Sequence, residues 1–158
     1  MGSAVITEAI LLIASVIIAG SLAGVVMTKV GTFQSTFTQT TENQKQTVLT
    51  NIKILYAQST APYNSVNAWV KNVGTYSITN TQNIDVYFGQ TGAMQRIVYN
   101  APGPSPSWTF TSPVTSWDKA NTVQINISNL SAISCSNVYE LQVTTPNGVS
   151  DDYFVTFC

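Results

Sequence analysis

The sequence predicts an all-β domain with an N-terminal α-helix: a long hydrophobic helix followed by an immunoglobulin-like antiparallel β-sandwich. Three observations predict it. Residues Ala9 to Thr28 carry no charge at all. Beyond about Asn51 the apolar residues recur every second position, as they do in strands buried on one face. Those alternating runs are separated by Gly/Pro/Asn turn signals and by no helical stretch of the length a parallel crossover needs.

The uncharged run, AILLIASVIIAGSLAGVVMT, lies between Glu8 and Lys29. As a helix of twenty residues it spans roughly 30 Å, the thickness of a bilayer's hydrocarbon core. It is too long for a cleaved secretory signal and lacks the basic start of one, although Ser21-Leu22-Ala23 resembles a cleavage site. A chain of 158 residues has too small a core to bury such a helix on all sides. The expectation is a membrane span or the axial helix of a helical assembly. Gly20 and Gly24 are four apart, with Ala19 and Ala23 beside them, a spacing that lets helix backbones approach closely. Glu8 borders the run, either as a complement to the helix dipole or as a partner for a charge on a neighbouring subunit. Glu8, Gly20 and Gly24 are therefore candidate assembly residues, through which the chain would form a homo-oligomer.

After Val30 the apolar positions thin to Phe33, Phe37, Val48, Leu49, Ile52 and Leu55, with a Thr/Gln-rich stretch between them. The spacing fits a helix continuing as one amphipathic stripe, and the composition fits a polar stalk. The expected division is 1–50 for the helix and its continuation, and 51–158 for the β-domain.

Strands are expected at Val66 to Val70, Ile84 to Phe88, Met94 to Tyr99, Thr122 to Ile127, Val138 to Thr144 and Tyr153 to Phe157, with Ile52 to Tyr56 either a first strand or the helix end. Roughly 105 residues suit an immunoglobulin-like module. The segment Ala101 to Trp117 holds four of the six prolines, so it is expected to be a loop or edge. Its Trp108, Phe110 and Trp117 either pack over an open end of the sandwich or form an exposed binding loop.

Composition excludes several functions. Only 8% of residues are charged and the net charge is −1, which leaves no basic face for nucleic acid. Histidine is absent, removing Ser-His-Asp and Cys-His catalysis and histidine metal sites. Asp151 and Asp152 are neighbours, but on a strand they point to opposite faces. No catalytic residue, metal ligand or cofactor site is assigned, and the chain is read as non-enzymatic. Cys135 and Cys158 are too few for a zinc site. A disulfide between them would stabilise the domain by about 3 kcal/mol and requires an oxidising compartment. Asn126-Ile127-Ser128 and Asn129-Leu130-Ser131 are glycosylation sequons. Lys29 weakly favours an external N-terminus, whereas the cysteines and sequons place the C-terminal domain outside the cytoplasm. The latter are followed here.

The opening MGSAVITEAILLIASVIIAGSLAGVV resembles archaeal type IV-pilin-like proteins, and more narrowly the archaellum accessory proteins of the FlaG/FlaF type. Ala68-Trp69-Val70-Lys71-Asn72-Val73-Gly74 is similar to a strand-turn pattern of the archaellin superfamily, and Ile84 to Gly89 to the strand that follows it. The resemblance implies a helix in the cell membrane or a filament core, and an immunoglobulin-like domain between membrane and surface layer. It implies a stator role in archaeal motility, with a sister accessory protein and a surface-layer protein as partners. The alternatives are a filament-forming archaellin or adhesive pilin subunit, and a membrane-tethered binding module.

Overall fold

A computed structural model of the chain describes residues 2–59 and 61–157. It contains two compact units, residues 1–43 and 44–158. A single helix, α1 (Gly2–Leu49), makes up the first unit and contributes its last turn to the second. The Thr/Gln-rich stretch is thus helical throughout. Its hydroxyls do not draw the backbone out of the helix: those of Thr36, Thr38 and Thr40 each donate to the backbone carbonyl four residues earlier, at 2.9–3.0 Å. A side chain that could compete with helical hydrogen bonding is turned back onto the helix itself.

The second unit is an immunoglobulin-like β-domain of ten strands: β1 (Ile52–Gln58), β2 (Val66–Asn72), β3 (Ile78–Thr79), β4 (Asp85–Gln90), β5 (Ala93–Tyr99), β6 (Ser107–Phe110), β7 (Ser116–Trp117), β8 (Thr122–Ser128), β9 (Tyr139–Thr144) and β10 (Ser150–Val155). Eight of them pair in the order β1-β2-β8-β6-β5-β4-β9-β10, and β3 pairs with β7. Every pairing is antiparallel except β5 with β6, where Val98 and Tyr99 oppose Ser107 and Trp108 in parallel. At that point the chain passes from one layer, β5-β4-β9-β10, to the other, β1-β2-β8-β6. Ile52 to Tyr56 is strand, and the last strand starts earlier than expected, at Ser150.

Alternation does the sorting. On β2, Val66, Ala68 and Val70 point inward, as do Val123, Ile125 and Ile127 on β8 and Leu141 and Val143 on β9. They meet across the core with Val86, Ile97 and Trp108. Phe88, Tyr139 and Phe157 close one part of it, with ring centroids 5.5–6.1 Å apart. The outer edges of the run, β1 and β10, are clasped by a side chain: Asp151 Oδ2 accepts from the Ile54 backbone N–H at 2.8 Å, and its Oδ1 accepts from Lys53 Nζ at 2.7 Å. A carboxylate here replaces the carbonyl of a further strand, which satisfies an otherwise unpaired edge N–H.

The last turn of α1 is seated in this domain by two turns. After β2, the backbone N–H groups of Val73 and Gly74 donate to the Asn51 carbonyl, and those of Thr75 and Tyr76 to the Leu49 carbonyl, at 2.9–3.2 Å. Carbonyls at the helix C-terminus have no partner within the helix, and this turn supplies one. Gly74 makes the approach possible, because a Cβ there would lie 2.5 Å from both Asn51 N and Leu49 O. The turn is shaped by Asn72, which is fully buried. Its Nδ2 donates to the Tyr76 and Trp117 carbonyls at 2.8 and 3.0 Å, and its Oδ1 accepts from Gly74 N at 3.0 Å. Between β9 and β10, Asn147 Nδ2 donates to the Gln46 carbonyl at 3.2 Å and to Thr50 Oγ1 at 2.6 Å.

Asn72→Ala should therefore destabilise the β-domain by about 2–4 kcal/mol, since it strands several buried polar groups. Gly74→Ala should cost about 1–3 kcal/mol or more, because backbone atoms block the new methyl on two sides. Denaturant unfolding followed by tryptophan fluorescence measures both; wild-type midpoints would refute this account of the seat.

Candidate functional site

The largest candidate surface is α1 itself. None of its described residues is buried within the chain, although Ile10 to Ile18 and Leu22 to Met27 are mostly large aliphatic residues. Leu12 and Ile18 expose 66% and 67% of their surface. Exposed apolar groups on every side of a helix need a cover, and lipid or sister helices can provide it. The polar residues within the run need no water. Ser15 Oγ donates to the Leu12 carbonyl and Ser21 Oγ to the Ile17 carbonyl, both at 2.8 Å. The segment is long and apolar enough to cross a membrane.

Gly20 and Gly24 have open space where a Cβ would stand, so a second backbone has access to both. Glu8 lies beyond the first turn of α1, which begins at Gly2. The dipole's effect fades within that turn, so a dipole partnership is the weaker of the two readings given for Glu8. Leu11, Leu12 and Ser15, which share its helix face, carry no charge.

Of the two readings given for Trp108, Phe110 and Trp117, the exposed binding loop requires correction. Trp108 is 1% exposed and Trp117 is 0% exposed. Residues 101–117 are not a plain loop, because they contain β6 and β7. Trp108 packs against Tyr99 and, edge to face, against Phe110, at 4.7 and 5.2 Å between centroids. Trp117 Nε1 donates to the Asn121 carbonyl at 2.9 Å, which satisfies its polar edge inside the core. The prolines interrupt the segment without expelling its aromatics from the core. On the outer face of the β1-β2-β8-β6 layer stand the half-exposed Tyr56 and the half-buried Trp69, neighbours across β1 and β2 with centroids 5.8 Å apart. Trp69 stands between the inward residues Ala68 and Val70, so strict alternation already assigned it to the outer face.

The two sequons differ in setting. Asn126 lies within β8, between β2 and β6, and its Nδ2 donates to Asn67 Oδ1 at 2.8 Å. Asn129 follows the strand, is exposed, and adopts a left-handed backbone with φ 58°. Cys135 is not a free thiol. Its expected partner, Cys158, lies outside the described residues. Among the described residues no three histidines, cysteines or acids gather as a metal site would require.

The archaeal-type flagellin family matches residues 2–154. No curated protein matches the chain. Among solved structures, the archaellum periplasmic stator protein FlaG from Sulfolobus acidocaldarius is 39% identical, with a TM-score of 0.62, over 68% of this chain and 100% of that one. The periplasmic stator complex of FlaF and FlaG from the same organism is matched at 39% identity and TM-score 0.60, over 68% of this chain and 90% of that one. The archaeal flagellum of Methanospirillum hungatei strain JF1 is matched at TM-score 0.70 over 96% of this chain and 92% of that one. At 16% identity, that likeness speaks for the fold alone.

Burial of the two tryptophans yields a separate expectation. Trp108→Ala or Trp117→Ala should lower stability by about 3–5 kcal/mol, the usual cost of emptying an aromatic site in a core. A variant that kept the wild-type thermal midpoint would show that these side chains do not hold the core together.

Proposed function

This chain belongs to the archaeal-type flagellin family, and we propose that it works in the archaellum as a stator-type accessory subunit held by α1. The observation that carries this reading is the 39% identity extending over the whole of the FlaG stator structure. Identity at that level relates the two domains residue by residue, whereas the filament likeness is one of fold. The chain is an archaellum component of the cell envelope.

Several finer features support and extend the reading. With α1 in the membrane, its N-terminus would face the cytoplasm and the β-domain would lie outside, as the description of FlaG as periplasmic suggests. A FlaF-like sister protein is the expected partner, by analogy with the FlaF and FlaG complex. A surface-layer protein is the second proposed contact. Gly20 and Gly24 would form the close-contact face between copies of α1, with Glu8 answering a positive group of the neighbour. Cys135 and Cys158 would tie the C-terminus to the domain in the oxidising space outside the cell. Of the two sequons, Asn129 offers the more accessible acceptor, because it is exposed after β8 while Asn126 lies within the sheet; the Asn129 Nδ2 itself donates to the Gly103 and Ser105 carbonyls at 3.3 Å. Such a subunit does no chemistry; it resists load through packed surfaces.

The second reading, a filament subunit, is favoured by the family match itself, archaeal-type flagellin, which takes in α1 over residues 2–154. Electron cryotomography of native cells with the protein tagged at a domain loop separates the two. Short complexes in the envelope at the archaellum base are expected, and long external filaments built of this chain would overturn the stator reading. Replacing Gly20 and Gly24 together by Ile should weaken self-association in micelles at least about tenfold, ~1.4 kcal/mol, while the β-domain melts as before. Unchanged association in ultracentrifugation would remove the glycine face from the proposal.

A further inference from the structure

The outer face of the β1-β2-β8-β6 layer carries a combination that the core and the helix do not use. β6 stops at Phe110, while β8 continues past the point where the two strands pair. Beside that end lies a groove of about 330 Å³, lined by Trp69, Thr111, Ser112, Val114, Thr122, Val123 and Gln124. No charged side chain lines it. Its volume falls at the lower end of the range for small-ligand sites.

Next to the groove, three amides form a fixed row. Asn67 Oδ1 accepts from Gln124 Nε2 at 3.2 Å and from Asn126 Nδ2 at 2.8 Å. This arrangement fixes the amide orientations and leaves the Asn67 Nδ2 donors and the Gln124 and Asn126 side-chain oxygens turned to further partners. Trp69 pairs with Gln124 across β2 and β8, and with Tyr56 across β1 and β2, so its indole sits between the amide row and a half-exposed phenol. The face thus combines a flat aromatic surface, neutral donors and acceptors in fixed positions, and neighbouring hydroxyls.

We propose that this groove is a carbohydrate site, taking one hexose unit of a neutral glycan. A pyranose has the matching chemistry. Its C–H face is apolar and slightly positive, which suits the negative face of an indole. Its hydroxyls each donate and accept, which suits amides and threonines better than charges. An apolar peptide would leave the amide row unpaired, and the one cation beside the groove, Lys71, stands opposite Thr122 and not in the lining. The Tyr56–Trp69 pair also stabilises the sheet, as cross-strand aromatics do. Sheet stability alone, however, does not require Gln124, Thr111, Ser112 and Thr122 to gather round the indole. The proposal stands independently of the stator reading, since it uses only the β-domain's outer face.

Fluorescence suits the test, because Trp108 and Trp117 are buried and Trp69 is the accessible indole. The full chain is held in dodecylphosphocholine micelles, which contain no sugar, and titrated with mannohexaose, cellohexaose and maltohexaose. The expected result is saturable protection of Trp69 from acrylamide by at least one of the three, unchanged by added salt. In calorimetry, Trp69→Ala and Gln124→Leu should each weaken that binding at least about tenfold, with Gln124→Leu leaving the tryptophan packing intact. Absence of binding by all three oligosaccharides overturns the proposal, as does binding that survives both substitutions. Protection that rises with protein concentration in the absence of sugar would identify a second copy of the chain as the occupant. A glycan found by mass spectrometry on Asn126 would cover the groove with the protein's own sugar. Either finding also overturns it.

Discussion

The structure depends first on how the C-terminal carbonyls of α1 are satisfied. A helix that runs into a β-domain ends in carbonyls that have no partner within the helix. Here the carbonyls of Leu49 and of Asn51, two residues beyond the helix, receive backbone N–H groups from the turn at 73–76, and the Gln46 carbonyl, which also accepts from Thr50 N, receives the amide of Asn147. Everything that shapes those turns follows from this need. Asn72 is buried because its side chain braces the first turn against β7, and residue 74 is glycine because helix-end backbone occupies the space of a side chain. The Asn-x-Gly signature that carried the family resemblance therefore has a mechanical reason.

The exposed part of α1 follows a different constraint. Its Ser and Thr hydroxyls are spent on the helix's own carbonyls, so the segment makes little demand on water even where it is not aliphatic. Such a helix is equally compatible with lipid and with a bundle of its own kind. Anchoring and assembly can thus draw on one surface.

The sequence was most legible where periodicity is strict. The alternation at Val66, Ala68 and Val70 marks a half-buried strand, and the uncharged run from Ala9 to Thr28 marks a helix that must be covered by lipid or by other helices. It was least legible in residues 101–117. Prolines there suggested a loop, yet strands as short as β7 need only two residues of pairing, and the indoles of Trp108 and Trp117 were drawn inward by the area they bury. The parallel contact of β5 and β6 left no local trace, because it arises where the chain changes layer. Nor did the clasp at Asp151: two adjacent acids look alike in sequence, and only the approach of β1 gives one of them a backbone N–H to hold. For the outer face, Trp69 was placed by its phase on β2, but the groove beside it depends on where β6 stops.

These connections give a load on α1 several routes into the domain. The last turn, in residues 44–49, is bonded to the 72–76 turn and to the 145–149 turn. The first leads into β2 at one side of the sheet order and, through Asn72, into β7. The second joins β9 to β10 at the other side, and β10 is clasped back to β1 by Asp151. Tension would therefore be shared by both ends of the strand run, with the Asp151 clasp opposing their separation. Hydrogen bonds loaded together resist better than the same bonds loaded one after another. A load-resisting subunit needs no charge or catalytic group for this, and a chain with 8% charged residues has few to offer. What it requires is that the carbonyls at the end of its helix never be left without a donor.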